Sequence, residues 1–137
     1  MKRVAFLDTS GWVAAALRQQ RFHAEAKEAY TSALRMRHRM VTTTLVLAEA
    51  HVLFMRLVSR ETAIQAIESV MTDPLHEIVA VEQELIQTAV DSWIRPYRDQ
   101  RFSLCDAVSF AVMKQEGNER AIAIDVHFQI AGFTTVN

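Results

Sequence analysis

The sequence predicts an α/β fold of three layers, with helices on both faces of a central parallel β-sheet of about five strands. Short, continuously apolar runs, typical of strands buried on both faces, alternate with longer segments whose apolar residues recur at helical spacing. Strands that alternate with helices in this way favour a parallel sheet. With 137 residues the chain is long enough for one sizeable core. We therefore expect a single domain over residues 1–137.

The predicted elements follow from these patterns. Helical spacing predicts helices around residues 22–33, 64–71 and 85–93, and the apolar runs predict strands at 4–7, 40–42, 78–81, 121–124 and 133–136. Ser59 and Ser103 are predicted N-caps, and Gly117 is predicted to end the helix that begins after Ser103. Only eight residues, 125–132, separate the last two strands, so we expect a single short helical turn between them.

Composition excludes several classes of protein. Hydrophobic residues make up 50% of the chain, with only three Gly and two Pro, which favours compact folding over disorder. The single cysteine, Cys105, precludes an internal disulfide, and no Cys/His spacing resembles a zinc site. The first apolar run is too short for a signal peptide and no segment approaches membrane-spanning length. We expect a cytoplasmic protein without membrane association.

Charge is distributed unevenly along the chain. Residues 1–60 carry ten Lys and Arg against four Asp and Glu, a local charge of +6, whereas the remainder carries five against twelve, or −7. This asymmetry favours an anionic partner on the first half, although scattered solvated arginines explain it equally well. The arginines in question are Arg18, Arg21, Arg35, Arg37, Arg39, Arg56 and Arg60.

Three aspartates occupy positions where open parallel sheets bind ligands. Asp8 and Asp125 directly follow predicted strands, at the carboxyl edge of the sheet. Each could equally be the N-cap of the next helix. Asp106 is the third residue after Ser103, so it either completes a capping box or projects into the same crevice from a helix N-terminus.

Glu49 is the most informative acid, because its helical neighbours at three and four positions are all aliphatic: Leu45, Val46, Val52 and Leu53. Burying an unpaired carboxylate costs several kcal/mol, so such a residue needs a cation, a proton or a path for its charged end to reach solvent. We expect Glu49 to be buried beside a metal ion. A buried ion pair with Arg56 or Arg60 is the alternative.

Carboxylates that converge on one crevice repel one another unless a cation neutralises them. A set of oxygen ligands favours Mg²⁺ or Mn²⁺ over zinc, and such an ion supports phosphodiester hydrolysis by activating water and stabilising developing charge. The sequence therefore predicts a metal-dependent nuclease. Its catalytic and metal-binding residues are predicted to be Asp8, Glu49, Asp106 and Asp125.

Other candidate sites receive a simpler interpretation. Cys105 is interpreted as a small core residue, since a nucleophilic cysteine needs a nearby base. His51 and His127 are interpreted as structural. An aspartyl-phosphate phosphatase could use Asp8, but that chemistry normally needs a second acid two positions later, where this chain has Ser10.

With the four acids placed, the sequence around them resembles the PIN-domain nucleases, especially the toxins of bacterial VapBC toxin-antitoxin pairs. The resemblance spans nearly the whole chain and rests on the order and spacing of its segments. These are residues 6–10 with Trp12 following, 43–44 leading to 47–49, 103–107, 124–128 and the closing 131–133.

This resemblance implies a Mg²⁺- or Mn²⁺-dependent endoribonuclease that forms a homodimer and, for toxin members, is inhibited by a cognate antitoxin. It implies Asp8 and Asp106 as direct metal ligands, while Glu49 and Asp125 either ligate the metal or position water. Hydrogen bonds from Thr9 or Ser10 support the cluster, and Cys105 replaces a hydroxyl residue common before the third acid. A non-catalytic RNA-binding module and an RNA-processing nuclease without an antitoxin are the alternatives.

Overall fold

The computed structural model describes residues 3–137, over which the predicted α/β fold with a parallel sheet is confirmed. The strands are β1 (Val4–Leu7), β2 (Arg39–Thr43), β3 (His76–Val79) and β4 (Ala121–Ile122). The helices are α1 (Thr9–Ala16), α2 (His23–Arg35), α3 (Thr44–Leu57), α4 (Arg60–Thr72), α5 (Gln83–Ala89), α6 (Leu104–Glu116) and α7 (Val126–Ile130). A π-helical segment, Val90–Ile94, continues α5.

The four strands are parallel and lie in the order β3-β2-β1-β4. The chain steps outward from β1 through β2 to β3, and then returns to the opposite side of β1 to form β4. The strand order therefore reverses between β1 and β4, which is where open α/β sheets bind ligands, at the carboxyl ends of the strands.

The fifth predicted strand, 133–136, is reduced to a single parallel bridge between Arg120 and Thr134. The backbone bonds Ala121 N to Thr134 O and Thr134 N to Glu119 O surround this bridge. The short connection that the sequence predicted is α7, a helix of five residues. Because so short a crossover leaves the chain little room to realign, strand pairing does not extend beyond the bridge.

The predicted caps are confirmed. The Ser59 hydroxyl accepts a hydrogen bond from Thr62 N at the start of α4, and Ser103 Oγ accepts one from Asp106 N at the start of α6. Gly117 ends α6 with φ of 65°, in the left-handed region that glycine tolerates best. Several strand boundaries differ from the prediction by one or two residues: β2 is one residue longer at each end, β3 begins and ends two residues earlier, and β4 ends at Ile122.

Helix α1 packs directly on the last strand. A Cβ at Gly11 would lie 2.0 Å from the backbone oxygen of Ile122, so only glycine permits this approach. The contact brings the end of β1 and the start of α1 against the end of β4. On the other side, the core helix α6 is buried from Cys105 to Met113, and its Phe110 meets the rings of Trp93, Phe128 and Phe133.

Right-handed crossovers put α1 to α4 on one face of the sheet and α5 and α6 on the other. The packing agrees with this arrangement, because α1 contacts α2 and α3 while α5 contacts α6. Within residues 3–137, every helix is too short or too polar to cross a bilayer.

Candidate metal centre

Asp8 lies at the junction of β1 and α1 and is 3% exposed. Its Oδ2 accepts hydrogen bonds from Ser10 N at 3.0 Å and Ser10 Oγ at 2.6 Å, so it caps α1. Ser10 Oγ in turn accepts a hydrogen bond from Ile124 N at 3.0 Å. Ser10 thus ties the acid after β1 to the chain that follows β4.

Asp106 lies in the first turn of α6, at the third position of a capping box. Its Oδ2 accepts a hydrogen bond from Ser103 N at 3.4 Å and contacts Nδ1 of His127 at 3.0 Å. The aspartate reaches back to its N-cap despite its short side chain. Both interactions fall on the same carboxylate oxygen.

Asp125 follows β4 and caps α7, where its Oδ1 accepts a hydrogen bond from His127 N at 2.9 Å. Asp106, Asp125 and His127 each offer a ligand atom, and these three atoms lie within 4.8 Å of one another. The acid after β4 and the acid on α6 therefore face one small volume.

The three aspartates share a pattern of hydrogen bonding. In each, one oxygen accepts the bonds that cap its helix: Oδ2 of Asp8, Oδ2 of Asp106 and Oδ1 of Asp125. Among residues 3–137, none donates a hydrogen bond to the second oxygen of these carboxylates. Each side chain is therefore fixed in orientation and retains one oxygen that can bind a cation.

Glu49 differs from its prediction, because it is exposed rather than buried. The buried stripe of α3 is Val46, Ala50 and Phe54, spaced four residues apart, and Glu49 lies beside that stripe. Of the aliphatic neighbours that suggested burial, only Val46 is buried, whereas Leu45 and Leu53 are half-buried and Val52 is 37% exposed. Neither Arg56 nor Arg60 forms a salt bridge with Glu49 within the described residues, so the buried ion pair is absent there.

Electrostatics show that the acids are close neighbours. The pKa of Asp8 is raised to about 7, mostly by burial and in part by the carboxylates of Asp106 and Glu49, against the two hydrogen bonds from Ser10. Burial, with repulsion from Asp125, also raises the pKa of Asp106, while His127 and Ser103 oppose the shift. A cation placed among these carboxylates would offset both the cost of burying their charges and their mutual repulsion.

Cys105 borders the same cluster. Burial raises the pKa of its thiol well above the usual range, and the negative charges of Glu49, Asp8 and Asp106 add to the effect. The thiolate, which is the nucleophilic form, is therefore suppressed. This agrees with the interpretation of Cys105 as a small core residue.

Comparison with known proteins bears on this arrangement. The family model for the PIN domain matches residues 5–133. The chain belongs to the PIN-domain family. A 23S rRNA-specific endonuclease, VapC20 of Mycobacterium tuberculosis, known from strains CDC 1551 and H37Rv, is 30% identical over 131 residues that span 96% of each protein.

The crystal structure of Mycobacterium tuberculosis VapC20, titled as a toxin that cleaves the sarcin-ricin loop, has the same fold. It superposes on this PIN domain with a TM-score of 0.84 and 28% sequence identity, and covers 96% of both chains. The likeness therefore extends over the sheet, the helices and the carboxyl edge where the acids lie.

The donor set of this PIN domain fits a hard divalent cation. Three fixed aspartates each present an oxygen that accepts no hydrogen bond from residues 3–137, and carboxylate oxygen is the ligand type that Mg²⁺ and Mn²⁺ prefer. The hydroxyl of Thr9, next to Asp8 and 1% exposed, has no hydrogen-bond partner among residues 3–137. A buried polar atom in that state indicates room for a ligand or water at the site.

His127 lies beside the acids, a position that the sequence did not predict. Its role was taken as structural, yet its ring contacts Asp106 at 3.0 Å and approaches Asp125 Oδ1 at 3.6 Å. The available signal was its position two residues after Asp125, on the first turn of the short helix that follows β4. A residue there stays at the carboxyl edge of the sheet.

Proposed function

We propose that this PIN-domain endoribonuclease cleaves structured RNA with Mg²⁺ or Mn²⁺ bound at Asp8, Glu49, Asp106 and Asp125. The observation that carries the proposal is the shared pattern of the three aspartates, which keep one oxygen fixed by a helix cap and one oxygen free. Asp106 and Asp125 offer ligand atoms within 4.8 Å of one another, and the charge of Asp106 raises the pKa of Asp8, a proximity that helix capping alone does not require.

The chain's own residues have distinct tasks in this proposal. Asp8 and Asp106 hold the cation directly, since burial and repulsion make them costly to ionise without one. Asp125 and the exposed Glu49 border the open side, where they either add a ligand or orient water. The bound ion supplies activation of water and stabilisation of charge at the attacked phosphate.

Ribosomal RNA is the substrate class to test first. The relative at 30% identity is named a 23S rRNA-specific endonuclease, and its structure is titled for cleavage of the sarcin-ricin loop. We propose the same substrate class here, together with the partners of the VapBC type: a cognate antitoxin and a second copy of this chain. Co-expression with the neighbouring small reading frame should yield a complex and relieve growth inhibition.

The decisive experiment compares wild type with Asp106→Asn on a ribosomal RNA hairpin. Wild type should cut the hairpin with Mg²⁺ or Mn²⁺ and stop in EDTA, leaving 5′-phosphate ends. Asp106→Asn keeps a side chain of the same shape but loses the charge, so cleavage should fall by more than about 100-fold. The measurement is the cleavage rate on end-labelled RNA.

Asp91→Asn is the matched control, because Asp91 is exposed on the π-helical segment and makes only surface contacts within residues 3–137, with Arg95 at 3.4 Å and Gln87 at 3.2 Å. It should cut at the wild-type rate. RNA that wild type binds but never cuts with either metal would instead support the non-catalytic module. Cleavage without a growth phenotype or a partner would favour an RNA-processing nuclease.

A further inference from the structure

We propose that His127 is a positioning residue that fixes the relative positions of Asp106 and Asp125 for metal binding. This inference rests on the proposed metal-dependent function. One residue contacts both acids. Its backbone N donates to Asp125 Oδ1 at 2.9 Å, and its ring Nδ1 lies 3.0 Å from Asp106 Oδ2. Asp125 belongs to the start of α7 and Asp106 to the start of α6, so His127 links the two helices at the cluster.

The chemistry of the pair sets the direction of the side-chain bond. When Asp106 is ionised its carboxylate only accepts hydrogen bonds, so the tautomer of His127 that interacts with it is the one with N–H at Nδ1, which donates a hydrogen bond to Asp106 Oδ2. Ser103 N donates to the same oxygen at 3.4 Å. The two donors approach Oδ2 from different segments, and Oδ1 of Asp106 remains for the cation.

The ring itself is held in place. Phe102 packs edge-on against it, with centroids 5.3 Å apart and planes at 77°, and the side chain of His127 is only 28% exposed. Rotation of the ring away from Asp106 would lose this contact. The donor is therefore preorganised before any metal arrives, which lowers the entropic cost of ordering Asp106.

This arrangement is a hydrogen bond to a metal-binding carboxylate from a residue outside the ligand set. Loss of such a partner typically weakens metal affinity or activity by about 10- to 100-fold. The effect would act through Asp106, whose free oxygen loses its fixed direction, rather than through substrate contact.

Three substitutions separate the hydrogen bond from the ring. In His127→Asn the amide nitrogen occupies the place of Nδ1, so a donor to Asp106 is retained. In His127→Gln the amide nitrogen lies one bond farther from the backbone, away from the place of Nδ1. Both variants lose the contact with Phe102. Mn²⁺ titrated calorimetrically should bind His127→Asn within a few-fold of wild type. His127→Gln and His127→Ala should bind it at least about tenfold more weakly.

Two results would overturn the inference while leaving the proposed function standing. If all three variants bind Mn²⁺ like wild type, His127 is merely a neighbour of the site. If all three lose affinity equally, metal binding requires the imidazole ring rather than a hydrogen-bond donor at that place, for example because the ring is itself a ligand. Failure of wild type to bind Mn²⁺ would instead refute the proposed function.

A second measurement needs no metal. In EDTA, melting temperatures of His127→Gln, Asp106→Ala and the double variant form a cycle whose non-additivity reports the direct coupling. We expect the double variant to melt higher than the sum of the two single shifts predicts, because each single change already breaks the same bond. Additive shifts would show that no hydrogen bond joins the two side chains.

Discussion

An aspartate at a helix start can serve as a cap and as a metal ligand at once. In Asp8 and in Asp125, one carboxylate oxygen accepts the hydrogen bond from the helix N–H. The other oxygen accepts no hydrogen bond from residues 3–137. The two interpretations that sequence left open for each residue are therefore compatible. The cap even assists a ligand role, because it fixes the side-chain torsions that a coordinating carboxylate must otherwise freeze.

The raised pKa of Asp8 predicts how the stability of the metal-free protein depends on pH. Its pKa is about 7 in the folded metal-free protein, against an ordinary value of 3.8. Between these values the folded state keeps a proton that the unfolded state has lost, so ionisation of Asp8 destabilises the protein as pH rises through this window. Asp8→Asn removes that penalty while keeping a capping oxygen.

In EDTA, Asp8→Asn should therefore gain stability relative to wild type between about pH 4 and about pH 7, and the gain should level off above that. Urea unfolding across the pH range measures it. Asp91→Asn, at an exposed site, should follow the wild-type curve. Parallel curves for Asp8→Asn and wild type would show that Asp8 is not buried as a costly carboxylate.

Among the elements, the start of α6 combines capping with the site. Ser103 caps α6 in the same way that Ser59 caps α4, with N to Oγ distances of 3.0 and 3.1 Å. Ser103→Ala and Ser59→Ala should each cost about 1 kcal/mol of stability, measured by urea unfolding. Only Ser103→Ala should also weaken Mn²⁺ binding, because it loosens the turn that carries Asp106. Equal Mn²⁺ affinity in both variants would contradict this.

The loop 95–103, before α6, is the basic element beside the cluster. Tyr97 stacks on Trp93 at 5.6 Å, and Phe102 contacts the ring of His127, so aromatic anchors fix the loop at both ends. Arg98 and Arg101 are exposed and form no salt bridge within residues 3–137. Arg35, Arg39 and Arg60 of the first half are paired with glutamates, but its other arginines form no salt bridge within residues 3–137. What distinguishes Arg98 and Arg101 is therefore their loop, whose Phe102 contacts the ring of His127.

Arg98 and Arg101 should therefore contact RNA phosphates. In an Asp106→Asn background, which prevents cleavage, Arg98→Ala or Arg101→Ala should weaken RNA binding and reduce the slope of log affinity against log salt by about 1. Arg120→Ala is the control, since Arg120 is exposed at the amino end of β4, away from the acids. A salt slope that neither Arg98→Ala nor Arg101→Ala changes would show that the loop does not contact RNA.

For the whole molecule, metal binding and folding are coupled. The proposed ligands come from the ends of β1 and β4 and the start of α6, which meet only in the folded state, so we expect metal binding to stabilise the fold. At a Mn²⁺ concentration 100 times the dissociation constant, binding should add about 2.7 kcal/mol, or about 10 °C in melting temperature. Asp8→Asn should show a much smaller rise, and an equal rise would remove Asp8 from the site.

Local patterns in the sequence were sufficient for the α/β class, the helix caps and the placement of Asp8 and Asp125 after strands, because these depend on residues near one another in the chain. The strand order, which makes β1 and β4 neighbours, depends on long-range packing such as the contact of Gly11 with Ile122. The same is true of the contact between His127 and Asp106, which lie 21 positions apart. Exposure of Glu49 was likewise decided by tertiary structure, because helical spacing defines faces of a helix but not which face meets the core.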